Sequence, residues 1–168
     1  MILWIVEDER KEARKVVAAV QAAFPGMFEI YANDDITWPH EMPLPKLNPV
    51  SDDLAPPIRQ PGSPEHLPDI VVLDLLVKDQ GSEPARKDSE WSNFPGSLFY
   101  DRLREEEDRA HKRRSQVIIY SQYRGMIYTR NFVTRHQDDH RFDDIDSKSP
   151  GLLVEKLHES ITKVQTGE

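Results

Sequence analysis

The sequence predicts an α/β domain in which helices cover both faces of a parallel sheet, giving three layers. Two observations carry that expectation. Three short runs, Ile2–Val6, Ile70–Leu73 and residues 117–120, are rich in Ile and Val and apolar throughout instead of alternating. Strands read this way when both faces of a parallel sheet are covered. Between the runs lie stretches whose apolar residues recur at helical spacing, and strand–helix alternation is the signature of the α/β class. The 168 residues fit one domain and leave no room for two full-sized ones.

Taken in order, the first strand ends at the acids Glu7-Asp8-Glu9. Ala13, Val16, Val17, Val20, Ala23 and Phe24 then form the inner stripe of a helix that Pro25-Gly26 stops. Residues 28–31 read as the second strand. From Ile36 to Pro68 come nine of the chain's thirteen prolines, including Pro56-Pro57. Proline lacks an amide donor and fixes φ, so an insertion at about 34–68 is expected in place of a regular second helix. Ile70–Leu73 is the third strand and ends at Asp74. A polar stretch at about 78–95, with Gly81, Pro84 and Trp91, reads as a second insertion. A helix is predicted over 97–110, with Leu98, Phe99 and Leu103 inward and the pairs Arg102/Glu106 and Glu105/Arg109 on the wet face. Residues 117–120 form the fourth strand, ending at Ser121. A helix over 126–135 and a fifth strand over 142–147 follow. In the last helix Ser149 stands as N-cap, Pro150 takes the first turn, and Leu153, Leu157, Ile161 and Val164 face inward. The whole chain, 1–168, is read as one domain with two insertions.

Composition excludes several classes. Thirty acidic residues against twenty-two Lys and Arg leave a formal charge of −8, a field that repels polyanions and argues against nucleic acid or an anionic membrane as partner. Without cysteine there is no disulfide framework, thiolate nucleophile or Cys-ligated zinc. The first apolar run is too short for a membrane span and lacks a basic leader, so a cytoplasmic location is expected.

Each strand end carries a polar group, and the carboxyl ends of parallel strands form the ligand crevice of an open α/β sheet. Glu7, Asp8 and Asp74 are therefore expected at one edge. Clustered carboxylates raise one another's pKa unless a cation neutralises them, and oxygen donors of this kind suit Mg²⁺. A carboxylate can also accept a phosphoryl group. Ser121 is placed to hydrogen-bond a phosphoryl oxygen, and Lys148 to pair with another. Metal site, nucleophile, hydroxyl and counter-cation together fit phosphoryl transfer.

The motifs Ile5-Val-Glu-Asp-Glu9, Pro68-Asp-Ile-Val-Val-Leu-Asp74, Val117-Ile-Ile-Tyr-Ser121 and Ser147-Lys-Ser-Pro150 resemble those of the receiver domain of two-component response regulators, of the single-domain chemotaxis-regulator kind. The resemblance runs from Met1 to the last helix apart from the two insertions. It implies a flavodoxin-like, doubly wound sheet of five parallel strands in the order 2-1-3-4-5. Asp74 would be the phosphoacceptor, Asp8 a direct Mg²⁺ ligand, Glu7 a ligand through water, and the backbone carbonyl of Leu76 a further ligand. Ser121 would turn toward the phosphoryl group and Lys148 would pair with it. The donor would be a histidine kinase or phosphotransfer protein. The chain would catalyse its own phosphoryl transfer and a slow autodephosphorylation. Output would pass by protein contact to an unknown downstream protein, or through a homodimer, since no output domain is expected after the last helix. The family's glycine beyond the phosphoacceptor is displaced to Gly96, and its aromatic switch position holds Ile145. Leu76 and Tyr123, both bulky, border the route of attacking water, which implies a long-lived phospho-form.

Other readings remain beside this one. Glu7 and Asp8 also suit a helix N-terminus, and Asp74, Ser121 and Lys148 each suit an ordinary turn. A receiver-like adaptor that binds partners without phosphorylation is the alternative function, with Trp38 and Trp91 as anchors. An aspartyl phosphohydrolase of the haloacid-dehalogenase type would need an acid where Leu76 stands. His136 and His140, four apart, read as a solvated turn and not a metal pair. His111-Lys-Arg-Arg114 reads as helix-end chemistry rather than a polyanion patch, and Trp4 as core.

Overall fold

A computed structural model describes residues 1–7, 9–32, 48–49, 67–75, 95–121, 132, 134–136, 142–145 and 148–167. Strands β1 (Ile2–Val6), β2 (Glu29–Ala32), β3 (Asn48–Pro49), β4 (Ile70–Leu73), β5 (Gln116–Tyr120) and β6 (Phe142–Ile145) alternate with helices α1 (Arg10–Ala23), α2 (Pro95–Arg109) and α3 (Pro150–Thr166). The sheet order is β3-β2-β1-β4-β5-β6. Neighbours from β2 through β6 pair in parallel, and only β3 is antiparallel. The α/β class and the parallel sheet thus match the sequence reading. The two-residue β3, inside the expected proline-rich insertion, was not anticipated. Pro49 has no amide to donate, which an edge strand tolerates.

Strand alternation sorts the core into two layers. Trp4, Val6, Val71, Leu73, Val117 and Ile119 pack with Phe99, Tyr100 and Leu103 of α2 and with Phe132. On the other face Leu3, Ile5, Ile70, Val72, Ile118 and Tyr120 pack with Val16, Val20 and Phe24 of α1 and with Leu153, Leu157 and Ile161 of α3. Every residue of β4 and β5 is buried, so a continuous apolar run is what both covered faces require.

The helix ends follow local chemistry with some differences from expectation. α1 stops at Phe24, whose amide donates to the Val20 carbonyl, and Gly26 supplies a φ of 70° in the turn that follows. Ser149 is the N-cap of α3 by position, but its side chain makes no capping hydrogen bond. Pro150 fills the first turn as expected. At the other end of α3, Arg113 donates to the Lys163 and Val164 carbonyls at 3.0 Å each. The run 111–114 therefore performs helix-end chemistry at two helices: Arg113 serves α3, while the His111 and Lys112 amides donate to the Asp108 and Glu107 carbonyls in the last turn of α2.

α2 begins two residues earlier than predicted. Arg109 pairs with Glu106, a spacing of three where a pair with Glu105, four away, was expected. The larger difference is a buried network on α2. Glu107, with no exposed surface, accepts from Arg104 Nη1 at 2.8 Å, from the Ser115 amide at 2.8 Å and from the Ser115 hydroxyl at 2.5 Å. Arg104 Nη1 also donates to the Ser115 carbonyl at 3.0 Å. These bonds tie α2 to the start of β5. Of the helix predicted over 126–135, Phe132, Thr134 and Arg135 are described and helical. No described helix is long and apolar enough to cross a membrane.

Candidate functional site at the carboxyl edge of the sheet

Register brings the strand ends level. Val6 pairs with Leu73 and Leu73 with Ile119, and the Asp74 amide donates to the Val6 carbonyl at 2.9 Å. Glu7 and Asp74 therefore leave neighbouring strands at the same height, with Ser121 just beyond. Tyr120 pairs with Ile145, so Lys148, three residues past the end of β6, arrives at that edge from the far side of β5.

The side chains meet. Lys148 Nζ donates to Glu7 Oε2 at 2.5 Å and to Asp74 Oδ2 at 2.7 Å. The partners are separated by 141 and 74 positions in the chain. Side-chain exposure is 3% for Glu7, 7% for Asp74 and 6% for Lys148, so the cluster is nearly closed to water. Glu7 also accepts from the Glu9 amide at 3.1 Å through its other oxygen. That second contact is the helix N-terminal role considered from the sequence, and Glu7 fills it while reaching Lys148.

Charge in this setting is unbalanced, with two carboxylates on one ammonium. Burial first, and then the Asp74 charge, push the Glu7 carboxyl up to about 7 from 4.5, against the pull of Lys148. Burial works against the charged form of Lys148 as well, yet Asp74 and Glu7 together hold its pKa above the ordinary lysine value.

Two hydroxyls at the end of β5 complete the edge. Ser121 is 1% exposed, and its Oγ has no hydrogen-bond partner among the described residues. The Tyr120 hydroxyl is in the same condition. Burial, followed by the Glu12 charge, pushes its pKa up to about 12, and Lys148 and Glu7 act on it from either direction. Buried polar atoms are normally satisfied, so both mark places where a ligand oxygen or a water fits. The sequence singled out Ser121 by its place after an apolar run, and the same signal placed Tyr120 in the core without indicating its hydroxyl.

Gly96 is the other element of the site. A Cβ there would lie 2.4 Å from the Asp74 carbonyl oxygen and 2.5 Å from Leu75 Cα. Only glycine lets the start of α2 come this close to the backbone of the strand end. Asp8, Leu76 and Tyr123 lie outside the described residues, as do His140, Trp38 and Trp91. His136 stands away from this edge, its ring 4.5 Å from that of Tyr100.

Among the described residues no group of three or more His, Asp or Glu side chains gathers as metal ligands. Glu7 and Asp74 are oxygen donors with an uncompensated negative charge in a buried place, and that donor set fits a hard divalent cation. Comparison of the chain with family models, with curated proteins and with solved structures finds no match.

Proposed function

We propose that the chain is a signalling receiver that accepts a phosphoryl group on Asp74 with Mg²⁺ and passes the signal on by protein contact. The observation that carries this reading is the Lys148 amine held 2.5 Å from Glu7 and 2.7 Å from Asp74. A lysine drawn from the far end of the chain to a strand-end aspartate is the arrangement an acyl phosphate needs for charge compensation. On this reading the parallel order β2-β1-β4-β5-β6 is the flavodoxin-like one, and the protein works in the cytoplasm with a histidine kinase or phosphotransfer protein as donor.

In the reaction, an Asp74 carboxylate oxygen attacks the phosphorus of a phosphohistidine. The phosphorus–nitrogen bond breaks, and the imidazole leaves with a proton from solvent. Glu7, Asp74 and Asp8, with the Leu76 carbonyl, would hold Mg²⁺, which supplies charge neutralisation as the donor approaches. Lys148 gives up its contact with Asp74 Oδ2 and pairs with the phosphoryl group. The Ser121 hydroxyl, with no partner among the described residues, donates to a phosphoryl oxygen. Burial of the three charged side chains excludes water and supports a long-lived phospho-form, which Leu76 and Tyr123 reinforce.

The same burial favours a second reading, in which Lys148 neutralises both acids permanently and the chain is an adaptor that never takes a phosphoryl group. Beryllofluoride with Mg²⁺, followed by NMR of the backbone amides, separates the two. The receiver reading expects saturable changes at Glu7, Asp74, Ser121 and Lys148, absent in Asp74→Asn. Unchanged spectra at those positions would leave the adaptor.

A further inference from the structure

The row of polar side chains at the carboxyl edge extends one strand beyond the two acids. Val6 pairs with Leu73, and Leu73 with Ile119, so one step further on Glu7, Asp74 and Tyr120 stand level on three neighbouring strands. Such strands lie about 4.8 Å apart. Val6, Leu73 and Ile119 pack toward α2, whereas Ile5, Val72, Ile118 and Tyr120 pack toward α1 and α3. Alternation therefore turns Glu7 and Asp74 to the face that Tyr120 occupies.

The ring of Tyr120 belongs to the apolar layer that includes Val16, Leu153 and Leu157, but its hydroxyl does not. The residue is 1% exposed, and the hydroxyl has no hydrogen-bond partner among the described residues. Leaving a buried hydroxyl unpaired is unfavourable. Phenylalanine would fill the same space without that cost, so packing alone gives no reason for a tyrosine here.

Three charges act on the phenol: Glu12 most strongly, then Lys148 and Glu7. Two of these have bonding capacity to spare. Lys148 spends two of its three ammonium hydrogens, one on Glu7 and one on Asp74. Glu12, in the first turn of α1 and 9% exposed, accepts from Lys15 through Oε1 at 2.6 Å. Its other oxygen accepts nothing among the described residues. A phenol hydroxyl both accepts and donates, so Tyr120 suits a place between an ammonium and a carboxylate.

Resting on the receiver reading above, we propose that Tyr120 is a positioning residue for Lys148 in the phosphorylated protein. When Lys148 leaves Asp74 for a phosphoryl oxygen, its three hydrogens go to Glu7, the phosphoryl group and the Tyr120 oxygen. The Tyr120 hydroxyl donates in turn to Glu12. Tyr120 makes no bond to phosphorus and gives up no proton. Its work is to hold the ammonium from behind while the lysine compensates the phosphoryl charge. The same relay joins the strand edge to the first turn of α1.

Beryllofluoride with Mg²⁺ is the probe, titrated into the full chain and into its Tyr120→Phe variant and followed by NMR of the Ser121 and Lys148 amides. Half-saturation should need about tenfold more beryllofluoride in the variant, because a hydrogen bond to a charged group is lost. Without the probe, the urea midpoint of the variant should equal or exceed that of the unaltered protein, since the hydroxyl removed has no partner in the resting fold. A purely structural tyrosine gives the opposite pattern, with a lower midpoint and unchanged binding. Equal half-saturation overturns the proposal, and so does a lower midpoint without the probe, which would mean that the hydroxyl already serves the resting fold. Failure of the unaltered protein to take up beryllofluoride overturns the receiver reading and this proposal together. Saturation of the unaltered protein with equal binding by the variant overturns the proposal alone.

Discussion

Glu7 is the residue on which the electrostatics of the carboxyl edge turn. Its carboxyl sits near 7 when folded against 4.5 ordinarily, so the folded state holds that proton more tightly than the unfolded chain does. Its contribution to stability is therefore fully present below pH 4.5 and is lost as pH rises through 7. In metal-free buffer the urea midpoint should fall over that interval, and Glu7→Gln should remove most of the fall. Asp74→Asn deletes the like charge that helps raise the Glu7 pKa. A carbon-detected NMR titration of the Glu7 carboxyl should then report a lower pKa than in the unaltered protein. An unchanged or higher value would mean that Asp74 does not share the site electrostatically.

At the scale of elements, the account rests on how α2 meets the strands at both of its ends. Gly96→Ala would normally favour a helix by up to about 1 kcal/mol. Here the added Cβ meets the Asp74 carbonyl at 2.4 Å, and overpacking against backbone costs about 1–3 kcal/mol. Urea unfolding should show net destabilisation, and a gain would contradict the close approach. Near the other end, Glu107→Ala leaves Arg104 buried without its carboxylate, at a cost of about 3–5 kcal/mol. Replacing both partners with apolar residues of similar volume should restore most of that loss, a comparison that separates desolvation of an orphaned charge from lost packing. The sequence did not disclose this network. Arg104 and Glu107 stand three apart among charged neighbours and nothing in the pattern singles them out, because their burial depends on Ser115, which arrives from the next segment. Ser149 is a similar case, since its position marks the cap while side-chain geometry decides whether a bond forms.

For the molecule as a whole, the legible part is what a parallel sheet imposes on sequence. Covered strands must be apolar throughout, so Ile70–Leu73 and its counterparts stood out, and the first polar residue after each run fell at the shared edge. That reasoning placed Glu7 and Asp74 together from strand ends alone. Lys148 was harder, because only Phe142 and Ile145 mark its strand as apolar, and its arrival at Asp74 depends on the pairing of β6 with β5. The two-residue β3 carries no periodic signal at all.

Phosphorylation with acetyl phosphate and Mg²⁺, followed by borohydride reduction and peptide sequencing by mass spectrometry, reveals whether Asp74 is the acceptor. Reduction converts an acyl phosphate on aspartate to homoserine, which identifies the residue. The account predicts homoserine at Asp74, its loss in Asp74→Asn, and survival of the phosphorylated form well beyond minutes. Absence of homoserine at position 74, or its appearance at another acid, would contradict it.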